Sequence, residues 1–202
     1  MGFDAGTERA RGYPTRKGTI TMHKLMTAAL AAAALAASPA MAQDMSKFHE
    51  GPVFKDFGKI ADVESDMPIP PGTVLKAMFE EGKGADPGKV NRTFDSIGRY
   101  INMNVAAGVP EDYVRVALVV HGTAGFDVTN AAAYAKKYPG KENPNAPIIA
   151  ALLAHGVKIY ICGQSSAALG IAKADLLPGV KMALSAMTAE TLLQQQGYHL
   201  IP

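Results

Sequence analysis

The sequence predicts an α/β fold, a parallel sheet with helices on both faces. Three observations carry that reading. From Thr73 onward, short apolar and β-branched runs alternate with helix-like patterns, and alternation with short connections builds parallel sheets. The run Val114 to Val120 is almost continuously apolar, as a strand covered on both faces requires. Gly108, Gly156 and Gly197 stand where helical patterns stop, the position that favours a left-handed backbone.

The elements follow in order. Val74 to Phe79 is the first strand. Asp86-Pro87 offers an N-cap and a first-turn proline, and Val90, Phe94, Ile97, Ile101 and Val105 then mark one face of a long helix. Val114 to Val120 is the second strand, closed by His121-Gly122, and a small-residue helix occupies Ala131 to Tyr138. Ile148 to Ala154 is helical. Lys158 to Ile161 is the third strand and leads into Cys162. A short helix from Gln164 to Ala172, a turn at Asp175 to Gly179 and a fourth strand at Val180 to Leu184 come next. Thr188 is placed to cap a last helix ending at Gln196, and His199-Leu200-Ile201 offers a short fifth strand.

The residues before Thr73 divide in two. Met22-His23-Lys24, the apolar run Leu25 to Ala37 and Ala40-Met41-Ala42 form a signal-peptide pattern with cleavage near Ala42 and Gln43. The apolar run is too short to span a bilayer. Residues 1–21 precede a natural start at Met22 and read as an over-extended start, so 1–42 is set apart from the fold. Residues 43–72 are irregular and turn-rich and read as an arm. Strand-like pieces near Val53-Phe54 and Ile60 to Val63 could form a hairpin there. Residues 73–202 form the domain.

The formal net charge of the whole chain is +2, but residues 1–42 hold five Lys or Arg and only two Asp or Glu. The remainder is close to neutral and has no basic stripe interleaved with aromatics, so nucleic acid is not an expected partner. No later apolar run reaches membrane-spanning length, and no membrane association is expected after cleavage.

Cys162 is the single cysteine. It stands where the third strand passes into a helix, at the carboxyl end of the sheet, where ligands and chemistry collect in such folds. A thiol at a helix start meets the positive end of the dipole and free N–H groups, both of which favour the thiolate. Gly163 removes bulk beside the sulfur, and Gln164, Ser165 and Ser166 make a polar helix start. The competing reading is a buried structural cysteine, since free Cys is among the most buried residue types. His121 also ends a parallel strand, followed by Gly122. If the two strands are neighbours, interstrand spacing of about 5 Å brings His121 within reach of the thiol. Asn102 interrupts the apolar face of the first helix and is suited to bond a neighbouring loop or subunit, whereas Arg99 reads as a solvated position. The histidines show no metal-ligand spacing, and Met residues read as core filling. No cofactor is expected: Glu80-Glu81-Gly82-Lys83-Gly84 is acidic where a phosphate would bind. Without a Cys-x-x-Cys, dithiol exchange within the chain is excluded.

Several stretches resemble the DsrE/DsrF-like family in its exported branch. They are Arg99-Tyr100-Ile101-Asn102-Met103, Val119-Val120-His121-Gly122-Thr123-Ala124 and Ile159-Tyr160-Ile161-Cys162-Gly163-Gln164-Ser165, with Ala183 to Ala189 and Gln196-Gly197-Tyr198 behind them. The arm Gly51-Pro52-Val53-Phe54 with Phe57-Gly58 is similar to the family's N-terminal segment. The resemblance implies a three-layer α/β/α sandwich around a five-stranded parallel sheet, assembled as a homo-oligomer, a trimer or hexamer. It also implies a periplasmic protein that carries sulfur as a persulfide on Cys162, taking it from a small sulfur species and passing it to a partner thiol protein. The alternative is a non-catalytic oligomer that binds a small ligand or copper. Whether the chain is an enzyme, a sulfurtransferase, or a plain carrier stays open at this point.

Overall fold

A computed structural model describes residues 44–202. The leader segment, with its expected cleavage site, lies outside the described residues. The strands are β1 (Leu75–Glu81), β2 (Val114–Val120), β3 (Lys158–Cys162), β4 (Lys181–Ala183) and β5 (His199–Ile201). The helices are α1 (Arg92–Ala106), α2 (Ala131–Lys137), α3 (Ala146–Ala154), α4 (Gly163–Leu169) and α5 (Ala186–Gln195). The strands form one five-stranded sheet in the order β4-β3-β2-β1-β5, and every pairing is parallel.

Alternation along each strand divides the core into two layers. On one face Phe79, Val116, Leu118, Val120, Ile159 and Ile161 pack with Phe94, Ile97 and Ile101 of α1 and Ile149 and Leu152 of α3. On the other, Met78, Ala117 and Val119 pack with Ala189 and Leu193 of α5 and with Tyr198. The result is a three-layer sandwich. The alternation that buries Met78 and Val119 under α5 carries Glu80, His121 and Cys162 to that same face, at the carboxyl edge of the sheet.

Strand β2 begins and ends where its apolar run does, because both faces are covered. Three helix boundaries and one strand differ from the sequence reading. Helix α1 starts at Arg92 with Asn91 as its cap, its side chain accepting from the Thr93 N–H. Asp86-Pro87 instead forms a turn closed by the Lys89 N–H on the Asp86 carbonyl at 2.8 Å. Gly88, at φ +81°, breaks the path between them, and Val90 is left exposed outside the helix. Helix α4 stops at Leu169 because Gly170 takes a left-handed conformation. Strand β4 is only three residues long. Helix α5 is capped by Ser185, whose Oγ accepts from the Thr188 N–H at 3.0 Å; Thr188 supplies the donated N–H, not the cap.

The arm forms no hairpin. Among residues 44–72 the only strand-like pairing is a single antiparallel bridge between His49 and Ile60. Side chains from α1 hold it. Asn102, fully buried, accepts from the Val53 and Phe54 N–H groups at 3.0 and 2.9 Å. It donates to the carbonyls of Phe54 and Gly58 at 2.9 and 3.0 Å. Arg99 is partly exposed but also serves the arm. Its Nε donates to the Lys59 carbonyl at 2.9 Å, and it pairs with Asp95 at 3.2 Å, whose other oxygen accepts from the Gly58 N–H. Gly98 leaves room for Phe57, since a Cβ there would lie 2.5 Å from the ring.

Candidate site at the carboxyl edge of the sheet

Strands β2 and β3 are adjacent, with Val120 paired to Ile161. One residue further on, His121 and Cys162 stand side by side on the α5 face. Their side chains turn to different partners. His121 Nε2 meets Glu80 Oε1, from β1, at 2.5 Å, and no hydrogen bond joins His121 to Cys162. Ser165 instead joins Gly122, the residue after His121, to Cys162. Its Oγ accepts the Gly122 N–H at 3.1 Å, and its backbone N–H donates to Cys162 Sγ at 3.4 Å.

Cys162 caps α4 and is 5% exposed. Burial pushes its thiol up. The Ser165 hydroxyl, with the backbone N–H groups of Ser165, Ala186 and Gln164, pulls it down by more, so the thiol lies below its ordinary value. Two chain segments therefore converge on one sulfur: the first turn of α4 and the start of α5. Hydrogen bonds to the charged form favour that form. The convergence needs Gly163, where a Cβ would lie 2.6 Å from the Ala183 carbonyl oxygen and 3.1 Å from that of Leu184. Gln164 also ties the segments together, its Nε2 donating to the Leu184 carbonyl at 3.3 Å.

Gly122 has its own steric reason. It sits at φ +48°, and a Cβ would lie 2.5 Å from the Gly82 carbonyl oxygen. Gly82 in turn passes under the His121 ring, with a hypothetical Cβ 2.6 Å from its Cε1. Glu190 of α5 faces the same region. Burial raises its carboxyl, the Glu80 charge adds to that, and His121 opposes it.

Of the residues singled out in the sequence, Cys162, His121, Gly122, Gly163, Gln164 and Ser165 come together. Asn102 does not: α1 covers the opposite face of the sheet, and the Asn102 side chain is spent on the arm. Glu80, Glu190 and the Ala186 N–H were missed. Alternation from Met78 could have placed Glu80 on the site face, but only once β1 was known to run to Glu81. The Ala186 contribution needed the position of β4. His155 caps α3 and meets Glu111 at 2.6 Å, a structural contact. Among the described residues, no group of three or more His, Cys, Asp or Glu side chains is placed to hold a metal ion.

An apolar groove of about 300 Å³ opens beside the site, lined by Tyr160, Ala183, Leu184, Leu192 and neighbours. Ala183 is the cross-strand partner of Cys162, so the groove begins next to the thiol. Leu184 and Leu192 line it and are exposed.

Fold and site define a parallel α/β domain that presents one hydrogen-bonded thiol at the carboxyl edge of its sheet. A model of the DsrE/DsrF-like family matches residues 77–202, and this chain belongs to that family. No curated protein matches the chain. Among solved structures it is similar to a protein of unknown function, MTH1491, from Methanobacterium thermoautotrophicum. That match has 20% identity and a TM-score of 0.47, and covers 63% of this chain and 97% of the other. It is also similar to the ychN protein from E. coli, at 15% identity and a TM-score of 0.45, covering 63% of this chain and all of the other.

Proposed function

We propose that this chain is a periplasmic sulfur carrier that holds sulfane sulfur as a persulfide on Cys162. The observation that carries the reading is the set of donors around Sγ. The Ser165 hydroxyl and the N–H groups of Ser165, Gln164 and Ala186 outweigh burial and favour the thiolate, the nucleophilic form. The same donors suit the thiolate as a leaving group when the sulfur moves on. The source is a small sulfur species such as polysulfide, and the acceptor is a thiol on a partner protein that approaches along the apolar groove. Export through the leader at residues 22–42 fits a lone cysteine, which has no partner in its own chain for a disulfide.

The test is mass spectrometry after brief incubation with polysulfide. The Cys162 peptide gains about 32 Da, reversibly with dithiothreitol, and Cys162→Ser gains nothing. An unmodified Cys162, under conditions that load a control thiol, rejects the proposal. The low exposure of Cys162, 5%, favours a second reading, a non-catalytic oligomeric binding protein. That reading requires Cys162 to alkylate more slowly than a free thiol.

A further inference from the structure

The donors around Cys162 leave His121 without a task at that sulfur, although it stands on the neighbouring strand. Its ring is fixed elsewhere. Glu80 Oε1 lies 2.5 Å from Nε2, and Gly82 fits beneath Cε1 only because it lacks a Cβ. A neutral imidazole that bonds a carboxylate through Nε2 carries its proton there and keeps the Nδ1 lone pair free. Nδ1 has no hydrogen-bond partner among the described residues. The His121 side chain is 33% exposed and that of Glu80 41%, so an incoming molecule can reach the ring.

We propose that His121 Nδ1 takes the proton of the acceptor thiol during discharge of the persulfide, and that Glu80 is the positioning residue that sets the tautomer and orientation of the ring. The inference rests on the sulfur-carrier reading and assigns the two halves of its chemistry to different groups. In the step, an acceptor R–SH gives its proton to Nδ1 as its sulfur attacks the outer sulfur of Cys162–S–SH. The S–S bond to Sγ breaks, and the electron pair goes to Sγ, which becomes the thiolate held by Ser165, Gln164 and Ala186. The acceptor leaves as R–S–SH. One sulfur atom moves without net oxidation, and the proton on His121 passes to solvent. The charged and titratable groups facing the ring are Glu80 from β1, Glu190 from α5 and Cys162 from β3.

The test uses the full protein loaded with polysulfide, desalted, and discharged to two acceptors at neutral pH. One is a simple alkyl thiol, mostly protonated. The other is an aromatic thiol that is already ionised and needs no base. The readout is the ratio of the two discharge rates, which is insensitive to the fraction of folded or loaded protein. His121→Gln is expected to lower the alkyl-to-aromatic ratio by about 10²-fold. Glu80→Gln is expected to lower it by about tenfold, and Glu80→Asp, which retains the carboxylate, to restore part of the loss. An equal loss on both acceptors, or no loss with the alkyl thiol, overturns the proposal and leaves the carrier reading standing. Failure of the wild-type protein to load at Cys162 overturns the carrier reading itself, and this proposal with it.

Discussion

The Gly122 N–H donates to Ser165 Oγ at 3.1 Å, and that bond joins the loop after β2 to the helix that begins at Cys162. The Ser165 backbone N–H donates in turn to Cys162 Sγ at 3.4 Å, so one residue touches both strand ends.

Ser165→Ala removes the hydroxyl donor and keeps the Ser165-position N–H on Sγ. The thiol then rises toward its ordinary range, near 8.5. The expected outcome is a several-fold smaller thiolate absorbance near neutral pH, with the fold intact by circular dichroism. An unchanged ultraviolet titration of Cys162 would show that the hydroxyl contributes nothing.

Gly163→Ala tests the convergence of α4 and β4. A Cβ 2.6 Å from the Ala183 carbonyl oxygen meets backbone, which cannot swing aside as a side chain can. The expected cost is about 1–3 kcal/mol, read as a lower urea midpoint, together with slower alkylation of Cys162 as the α5 N-terminus is pushed away. Stability equal to wild type contradicts the close approach.

Asn102→Ala tests the arm. It strands two N–H groups and two carbonyls that Asn102 now serves in a buried setting. Unsatisfied buried groups cost about 1–3 kcal/mol each, so the arm is expected to become sensitive to protease and to lose amide protection around Val53 and Phe54. Cys162 reactivity is expected to change little, because Asn102 lies on the other side of the sheet. A thiol rate that falls together with arm protection would tie Asn102 to the site after all.

Asp127 gives a pH prediction away from the thiol. Burial raises its carboxyl, the Asn91 side chain and the Ala85 N–H only partly offset that, and the Glu81 charge adds to it. Its Oδ1 has no hydrogen-bond partner among the described residues. The folded value thus lies above the unfolded one. The folded state binds the proton more tightly, so stability is lost as pH rises from the unfolded value through the folded value. Asp127→Asn removes the charge while its carbonyl oxygen can still accept from Asn91 and Ala85. Relative to wild type its stability is expected to improve as pH rises from about 4 to neutral, because the wild-type carboxyl loses its proton over that range and the amide does not titrate. Urea unfolding at the two pH values decides it, and a difference that does not vary with pH counts against the assignment.

The sheet was largely legible in the sequence because parallel strands are buried on both faces and leave continuous apolar runs, as Val114 to Val120 does. The thiol and its strand neighbour were legible for the same reason, since His121 and Cys162 each follow such a run. What local pattern could not supply was long-range. The Ala186 N–H reaches Cys162 only because β4 sits beside β3, and Glu80 reaches His121 only because β1 sits beside β2. Helix starts were misplaced where two capping residues competed, as with Ser185 and Thr188. The hairpin offered for the arm does not form because the arm's order comes from Asn102 and Arg99, on a helix far along the chain, and not from its own pattern.

Donors from α4 and the start of α5 hold the thiol of Cys162 below its ordinary value despite its burial. The rate of Cys162 alkylation by iodoacetamide as a function of pH tests this most directly, in native protein beside the same protein unfolded in denaturant. The native midpoint is expected below that of the unfolded chain, with faster native alkylation than a free thiol at neutral pH. A native midpoint at or above the unfolded one, with slower alkylation, would contradict it.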